Sequence, residues 1–144
     1  MSIKLQLEGF EDLLKNIEEA GRSIPSACES ALKQSAQIMQ SELKAEMIAS
    51  GVPNDLVSSM PKFETETEGN RVTAKVGYKK GKYDPDNLSD GYKVVFLNYG
   101  TPNRKKHGQI AAKGFIQRAK KKARPKIKKG QKEALEKILA RLKQ

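Results

Sequence analysis

Apolar and polar positions along the first third of the chain change from period two to helical spacing. Residues 3–7 alternate Ile, Leu and Leu with Lys and Gln, which predicts a short half-buried strand. Apolar residues then recur every three or four positions over residues 10–20, which predicts a short amphipathic helix. A longer stripe of the same spacing over residues 25–49 follows Ser23 and Pro25, two residues typical of a helix start. We therefore predict a long central helix whose methionines fill the core.

The middle of the chain returns to strand patterning. Residues 51–61 form a turn-rich connection whose apolar side chains are expected to pack on the core. Residues 63–76 then alternate on both sides of Gly69-Asn70, which predicts an antiparallel hairpin with its turn at these two residues. Residues 79–91 have no apolar period and several helix and strand breakers, so we expect an exposed loop there.

A sharp turn follows the next apolar run. Tyr92–Tyr99 is rich in β-branched and aromatic residues and predicts a third long strand, with a short helical turn as the alternative. Gly100 can then take a positive φ and redirect the chain, and a basic loop follows over residues 104–114. We predict a structural corner that anchors the last helix to the sheet and is built from Tyr99, Gly100, Thr101 and Phe115.

The last part of the chain, residues 113–143, reads as a basic helical segment. From Phe115 onward apolar residues step by three or four, while the polar face is nearly all lysine. Pro125 interrupts this pattern, and a proline inside a helix costs about 3 kcal/mol. We therefore expect a kink or a break near residues 122–124.

These elements together predict a single α+β domain over residues 1–144. Its expected architecture is a small antiparallel β-sheet packed by a long central helix and a long basic C-terminal helix. A chain of this length can bury a modest core.

Charge is distributed unevenly along the chain. The formal net charge is +11, and residues 104–144 hold 16 of the 28 Lys and Arg residues but only two of the 17 acidic ones. Such a basic block is typical of a surface for an anionic partner, either nucleic acid or an acidic protein. The candidate partner or DNA contacts are Arg104, Lys105, Lys106, Lys120, Lys121, Lys122, Arg124, Lys126, Lys128 and Lys129.

A DNA-binding module that uses this basic helix is one functional hypothesis. Its contacts would neutralise phosphates with strong salt dependence and little sequence preference. The helix has no interleaved aromatic residues for base stacking, and no helix-turn-helix, zinc or RNA-binding signature is present. A solvated lysine face whose long stems cover apolar surface is the alternative.

Groups for catalysis or metal binding are scarce. Cys28 and His107 are the only residues of their types, so one chain cannot form a disulfide or a zinc site from Cys and His. Cys28 fits a small apolar side chain in the central helix, and His107 has no neighbouring carboxylate in sequence to orient it. The acidic residues of the loop at 79–91 lack the glycine and the glutamate that a calcium loop requires. We expect no enzyme activity, no cofactor and no metal.

Three glutamates alternate along the first strand of the predicted hairpin. Glu64, Glu66 and Glu68 share one strand face because successive side chains of a strand point to opposite sides. This arrangement indicates a salt-bridging surface toward solvent or a basic partner. It does not resemble a general acid and base pair.

Membrane insertion and export are not indicated by the sequence. No window approaches the 18 or so apolar residues of a membrane span, and residues 1–10 lack the apolar core of a signal peptide. We expect no membrane partner and a protein that stays where it is made.

The order of these features resembles a known family. The resemblance rests on a leading strand and helix around GFEDLLKNI, a long helix before a Pro-containing loop, a hairpin, FLNYGT at residues 96–101, and Phe115-Ile116 with Ala119. Its sharpest element is the aromatic-Gly-Thr turn followed some 14 residues later by Phe. In these respects the chain is similar to the neck or tail-component proteins of long-tailed double-stranded DNA bacteriophages. Asn98 stands where the family often has an acidic residue, and Gly114 where it often has Pro.

The resemblance implies a structural, non-enzymatic protein of the head–tail junction. Such a subunit would form a homo-oligomeric ring and contact other neck, connector or tail proteins. It would reside in the virion and, during assembly, in the host cytoplasm. The loop at 79–91, the alternating glutamates and the basic terminal helix offer complementary charge for contacts between neighbours.

Overall fold

A computed structural model describes residues 1–102 and 108–144 of the chain. In these two ranges the chain forms three strands and five helices. In chain order they are β1 (Ser2–Leu5), α1 (Glu11–Glu19), α2 (Ile24–Ala49), α3 (Asn54–Ser58), β2 (Glu64–Glu68), β3 (Arg71–Gly77), α4 (Asp90–Tyr99) and α5 (Phe115–Leu142). The candidate contacts Arg104, Lys105 and Lys106, together with His107, lie outside the described residues.

The strands form one antiparallel sheet in the order β1-β3-β2 within the described ranges. β2 and β3 are the two strands of the predicted hairpin, which turns at Gly69 and Asn70. β1 pairs with the opposite side of β3, with Ser2 across from Gly77. β1 and β2 are therefore the two edges of the sheet.

One face of the sheet packs on α2 and α5. Its apolar side chains come from alternate positions of β1 and β3, as period-two patterning requires. α2 contributes a stripe that includes Met39 and Met47, both almost fully buried, so the prediction that the methionines fill the core is confirmed. Cys28 is also buried in this core. The main contributors are Ile3, Leu32, Ala36, Leu43, Val72, Ala74, Val76, Phe115, Ile116, Ala119 and Ala123.

A second apolar cluster joins α1 to the long helix pair. Ile17 of α1 is fully buried against Ala27 and Ala31 of α2 and Leu135 of α5. Small residues let α2 and α5 approach closely along their length. At Gly130 a side-chain carbon would lie 3.3 Å from Ile38, so the close approach requires glycine or a small shift.

The predicted fold class is confirmed: the protein is α+β, with a three-stranded antiparallel sheet packed against α2 and α5. The connection before the hairpin also behaves as expected. It contains α3, and its apolar side chains are buried at Leu56, Val57 and Met60.

The prediction of a third long strand at Tyr92–Tyr99 is wrong, because this segment is helix α4. Ser89 precedes α4 in an extended conformation, Asp90 lies in its first turn, and the Gly100 N–H donates to the Phe96 carbonyl at its end. Ser89 and Gly100 thus stand at the usual sequence positions of a helix start and a helix stop, but Ser89 Oγ makes no capping hydrogen bond with the described residues. With a buried face at Gly91, Val94 and Asn98, they outweigh the β propensity of the run. The loop expected over residues 79–91 accordingly ends at Ser89, because Asp90 is the first residue of α4.

Of the kink or break expected near residues 122–124, the break is absent, because α5 runs without interruption from Phe115 to Leu142. Pro125 and Lys121, four residues earlier, are both exposed. The carbonyl that loses its hydrogen bond to the proline therefore lies on the solvent side of α5, where water can donate to it.

Candidate functional site

The predicted corner lies where α4 ends and α5 begins. Gly100 has φ +78° and ψ 176°, a conformation that is essentially restricted to glycine. A side-chain carbon at this position would lie 2.7 Å from the Ile110 carbonyl oxygen and 2.9 Å from the Ala112 nitrogen. The Thr101 N–H donates to the Ile110 carbonyl, and the Ile110 N–H donates to Thr101 Oγ1. Gly100 thus allows two backbone segments to pack against each other.

Asn98 joins the two helices from inside the protein. Its side chain is 1% exposed, and its Oδ1 accepts a hydrogen bond of 2.8 Å from the Ile116 N–H in the first turn of α5. The Gly114 N–H donates to the Asn98 carbonyl, and the Lys113 N–H donates to the Leu97 carbonyl. A residue of α4 therefore caps α5, a helix whose own N-cap residue is the left-handed Gly114.

Phe115 and Tyr99, two of the four predicted corner residues, differ from each other in burial. Phe115 is completely buried in the main core at the start of α5. The Tyr99 side chain is 58% exposed. The packing of the corner thus depends on Gly100, Thr101 and Phe115, whereas Tyr99 presents its ring to solvent.

A row of ion pairs connects α2 and α5. Glu46 accepts from Arg118 Nε at 3.1 Å and from Lys122 Nζ, and Glu42 accepts from Lys126 Nζ. Arg118 also donates to Ser50 Oγ at 2.6 Å. As the cations advance along α5 from Lys122 to Lys126, their partners go back along α2 from Glu46 to Glu42. This order is expected for two antiparallel helices in contact.

Glu46 is the most buried member of this row, with 8% of its side chain exposed. The hydrogen bond from Lys122, followed by that from Arg118, lowers the pKa of the Glu46 carboxyl. Two candidate contacts, Lys122 and Lys126, are therefore already engaged by glutamates of the same chain.

The other candidate contacts on α5 are exposed and form no ion pair with the described residues. Lys121 and Lys129 lie on the solvent side of the helix. Lys120, Arg124 and Lys128 line a groove of about 770 Å³ between α5 and β1. Lys4 and Glu8 line the same groove beside the backbone of β1. The basic helix is thus divided between an internal ion-pair row, a solvent face and this groove.

The opposite edge of the sheet is acidic. Glu64, Glu66 and Glu68 are exposed on β2, as the alternation predicts. Lys75 lies 3.2 Å from Glu66, and Lys79 lies 3.8 Å from Glu64. The glutamates with these partners retain 61% and 59% side-chain exposure, so their carboxylates remain open to solvent.

In the described residues, the acidic loop and the core contain few groups suited to catalysis or metal binding. Asp84 Oδ1 accepts from the Asp86 N–H, which is a local turn contact. Burial raises the pKa of the Cys28 thiol, which disfavours the reactive thiolate. Among the residues that the structure describes, no three His, Cys, Asp or Glu side chains gather closely enough to hold a metal ion.

Tyr78 is a buried polar residue that the sequence did not distinguish. Its hydroxyl donates to the Leu56 carbonyl at 2.6 Å and ties β3 to α3. Burial, assisted by the charge of Asp90, raises its pKa to about 12. Asn98 and the Glu42–Glu46 pair were also not predicted as structural contacts. Glu42 and Glu46, like Lys122 and Lys126, are spaced by four, which fits one helix face but does not pair the two helices, and no sequence signal indicates the role of Asn98.

Comparison with protein-family models, with curated proteins and with solved structures found no match for this chain. In the described part of the chain no helix is both long enough and apolar enough to cross a membrane.

Proposed function

We propose that the chain is a structural virion protein of the bacteriophage head–tail junction, a neck or tail-completion component that acts through ring-like self-assembly. Its partners are other copies of itself and adjoining neck, connector or tail proteins, and it works without catalysis. It resides in the virion after assembly in the host cytoplasm.

The corner between α4 and α5 gives this proposal its main support. The aromatic-Gly-Thr turn is the sharpest part of the family resemblance, and Gly100 fills a position that excludes other residues. Asn98 and Phe115 then fix the direction of α5 through a buried cap and a buried ring. A rigidly oriented terminal helix suits a subunit that must present the same surface to each neighbour in a ring.

A gene disruption tests the proposal. In the phage or prophage that carries this gene, a null mutant is expected to produce filled heads and separate tails in electron micrographs, and a plasmid copy should restore joined particles. Mass spectrometry of purified particles should detect the protein. Normal yields of joined, infectious particles from the null mutant would refute the proposal. Flanking head-connector and tail-tube genes would provide an independent check.

A DNA-binding module is the second candidate function. The observation that favours it is that Lys120, Lys121, Arg124, Lys128 and Lys129 are exposed and form no ion pair with any described residue. If all five contacted phosphates, log Kobs would fall against log salt with a slope of about −4.5.

Titration of a fluorescent duplex at two salt concentrations separates the two candidates. The DNA-binding module requires measurable affinity at low salt and a steep loss at higher salt. A variant with Lys121 and Lys129 changed to Gln should then bind more weakly with a shallower slope. Negligible affinity at low salt would eliminate this candidate and leave the structural role unaffected.

A further inference from the structure

The two edges of the sheet carry opposite charge, and their outward-facing backbone groups form no backbone hydrogen bond with the described residues. We propose that the chain self-associates by parallel pairing of the β2 edge of one copy with the β1 edge of the next, so that the β2 glutamates lie beside Lys4 on the outer face of the sheet. This inference deepens the proposed ring assembly and names its contact.

The pairing register identifies which backbone groups are free at the β1 edge. The Tyr78 N–H donates to the Met1 carbonyl, and hydrogen-bonded pairs alternate along an antiparallel ladder. Ile3 and Leu5 therefore bond to β3, whereas the N–H and C=O groups of Ser2 and Lys4 point away from it. These groups lie on the free edge of the sheet, beside the groove that all four β1 residues and α5 line.

The same reasoning applies to β2. Its two-residue turn makes Glu68 and Arg71 a hydrogen-bonded pair. Because hydrogen-bonded pairs alternate with non-bonded ones, Glu66 and Glu64 also bond to their partners on β3. The N–H and C=O groups of Thr65 and Thr67 consequently point to the free edge. Each edge of the sheet thus offers two residues whose backbone donors and acceptors have no backbone partner in residues 1–102 and 108–144.

The faces of these residues decide the direction of pairing. Ser2 and Lys4 place their side chains on the outer face, opposite to buried Ile3, whereas Thr65 shares the inner face with its partner Ala74. In a parallel ladder, the residues that bond across the two strands point their side chains to opposite faces. Parallel pairing of β2 with β1 therefore keeps the core face continuous from copy to copy.

Charge selects this pairing over the two symmetric alternatives. A β1–β1 contact would place Lys4 and the groove cations Lys120, Arg124 and Lys128 near their own counterparts. A β2–β2 contact would do the same with three glutamates. Like charges in such positions are destabilising, whereas β2 with β1 brings Glu66 or a neighbouring glutamate beside Lys4. Because this contact uses different surfaces on its two sides, it propagates into a ring or an open chain.

A disulfide test detects the contact directly. Within one chain Lys4 and Glu66 lie on strands separated by β3, so their backbones are about 10 Å apart, too far for a disulfide. A Lys4→Cys, Glu66→Cys double variant should therefore form intermolecular bonds, and mild oxidation should give a ladder of covalent multimers on a non-reducing gel.

Three controls accompany this test. Each single variant should give at most covalent dimers, and the wild type, whose Cys28 is buried, should give none. Multimers no longer than dimers from this double variant, and from the matching variants with Glu64→Cys or Glu68→Cys in place of Glu66→Cys, would overturn the proposal. Efficient dimer formation by the Lys4→Cys variant alone would instead indicate β1–β1 pairing and would also overturn it.

Charge exchange gives a second, independent test by sedimentation velocity at low salt. Lys4→Glu and Glu66→Lys should each weaken self-association by about tenfold. An equimolar mixture of the two variants should recover it, because each mixed contact again joins opposite charges. Circular dichroism of each variant should match the wild type, since both side chains are exposed. No recovery in the mixture would count against the pairing.

The outcomes also separate this inference from the proposed function. Wild-type oligomers that neither cross-link through the paired cysteines nor respond to charge exchange would refute the edge pairing while the ring remains. A wild-type chain that stays monomeric at high concentration would refute the pairing as well. The virion role would then be judged by the null mutant alone.

Discussion

Replacement of Gly100 by alanine tests whether the corner is held by its backbone geometry. Alanine at φ +78° and ψ 176° is strained by about 1–3 kcal/mol. Its side-chain carbon would also lie within 3.0 Å of two backbone atoms, Ile110 O and Ala112 N. Relief of this overlap requires the two segments to separate, which breaks the pair of hydrogen bonds between Thr101 and Ile110. At about 0.5–1.5 kcal/mol for each bond, the expected total loss is about 2–6 kcal/mol, with a midpoint of about 4 kcal/mol.

Gly51 offers a matched control for this variant. Its φ of +79° equals that of Gly100 within a degree, but a side-chain carbon there would meet no atom within 4 Å. Gly51→Ala should therefore show only the backbone penalty, about 1–2 kcal/mol. The loss at Gly100 in excess of the loss at Gly51 reports the contact with the 110–112 segment together with any cost of the extended ψ of 176° at Gly100.

Urea and thermal unfolding followed by circular dichroism measure both losses. A protein of this size loses roughly 2–4 °C in Tm for each kcal/mol. Gly100→Ala is thus expected to lower Tm by about 10 °C or more, and Gly51→Ala by about 5 °C. Equal losses for the two variants would show that the close approach at Gly100 contributes nothing, and the structural explanation of the corner would fail.

Three further variants test the surroundings of the corner and the helix pair. Phe115→Ala should destabilise the fold by about 3–5 kcal/mol, because it empties a fully buried ring position, and a loss below 1 kcal/mol in urea unfolding would contradict this. Asn98→Ala should cost about 1–3 kcal/mol because the buried Ile116 N–H loses its acceptor, and an unchanged free energy of unfolding in urea would contradict this. Glu46 contributes stability above its ordinary pKa of 4.5 that disappears as pH falls through its lowered folded value. The wild type should therefore exceed Glu46→Gln in Tm at pH 7, and the gap should close at acid pH; a gap independent of pH would refute this.

The elements predicted correctly are those whose apolar period reflects burial on one side. α2 and α5 each bury one stripe, and β3 buries alternate residues, so the period in the sequence matches the period of contact. α4 is different because its ten residues have apolar side chains on more than one side, and Val95 and Phe96 remain partly exposed. For that segment the capping signals at Ser89 and Gly100 carried more information than the side-chain propensities.

The contacts of the candidate site depend on pairings between distant segments. Glu46 and Lys122 are separated by 76 positions, and no local pattern indicates which face of α2 meets α5. The same holds for β1, whose amphipathic pattern predicts a strand but not its partner. That β1 joins β3, and leaves β2 at the opposite edge, follows only from the three-dimensional packing.

The division of the cations on α5 makes the two functional candidates compete. Lys120, Arg124 and Lys128 border the groove at the β1 edge, so a neighbouring β2 strand seated on that edge would limit their access to phosphates. Duplex DNA should therefore inhibit self-association if both surfaces are real, and the inhibition should weaken with salt as counterions replace the phosphates. If the structural role alone holds, DNA should leave the assembly unchanged. The net charge of +11 thus does not identify the partner, because its meaning depends on which cations the fold has already paired.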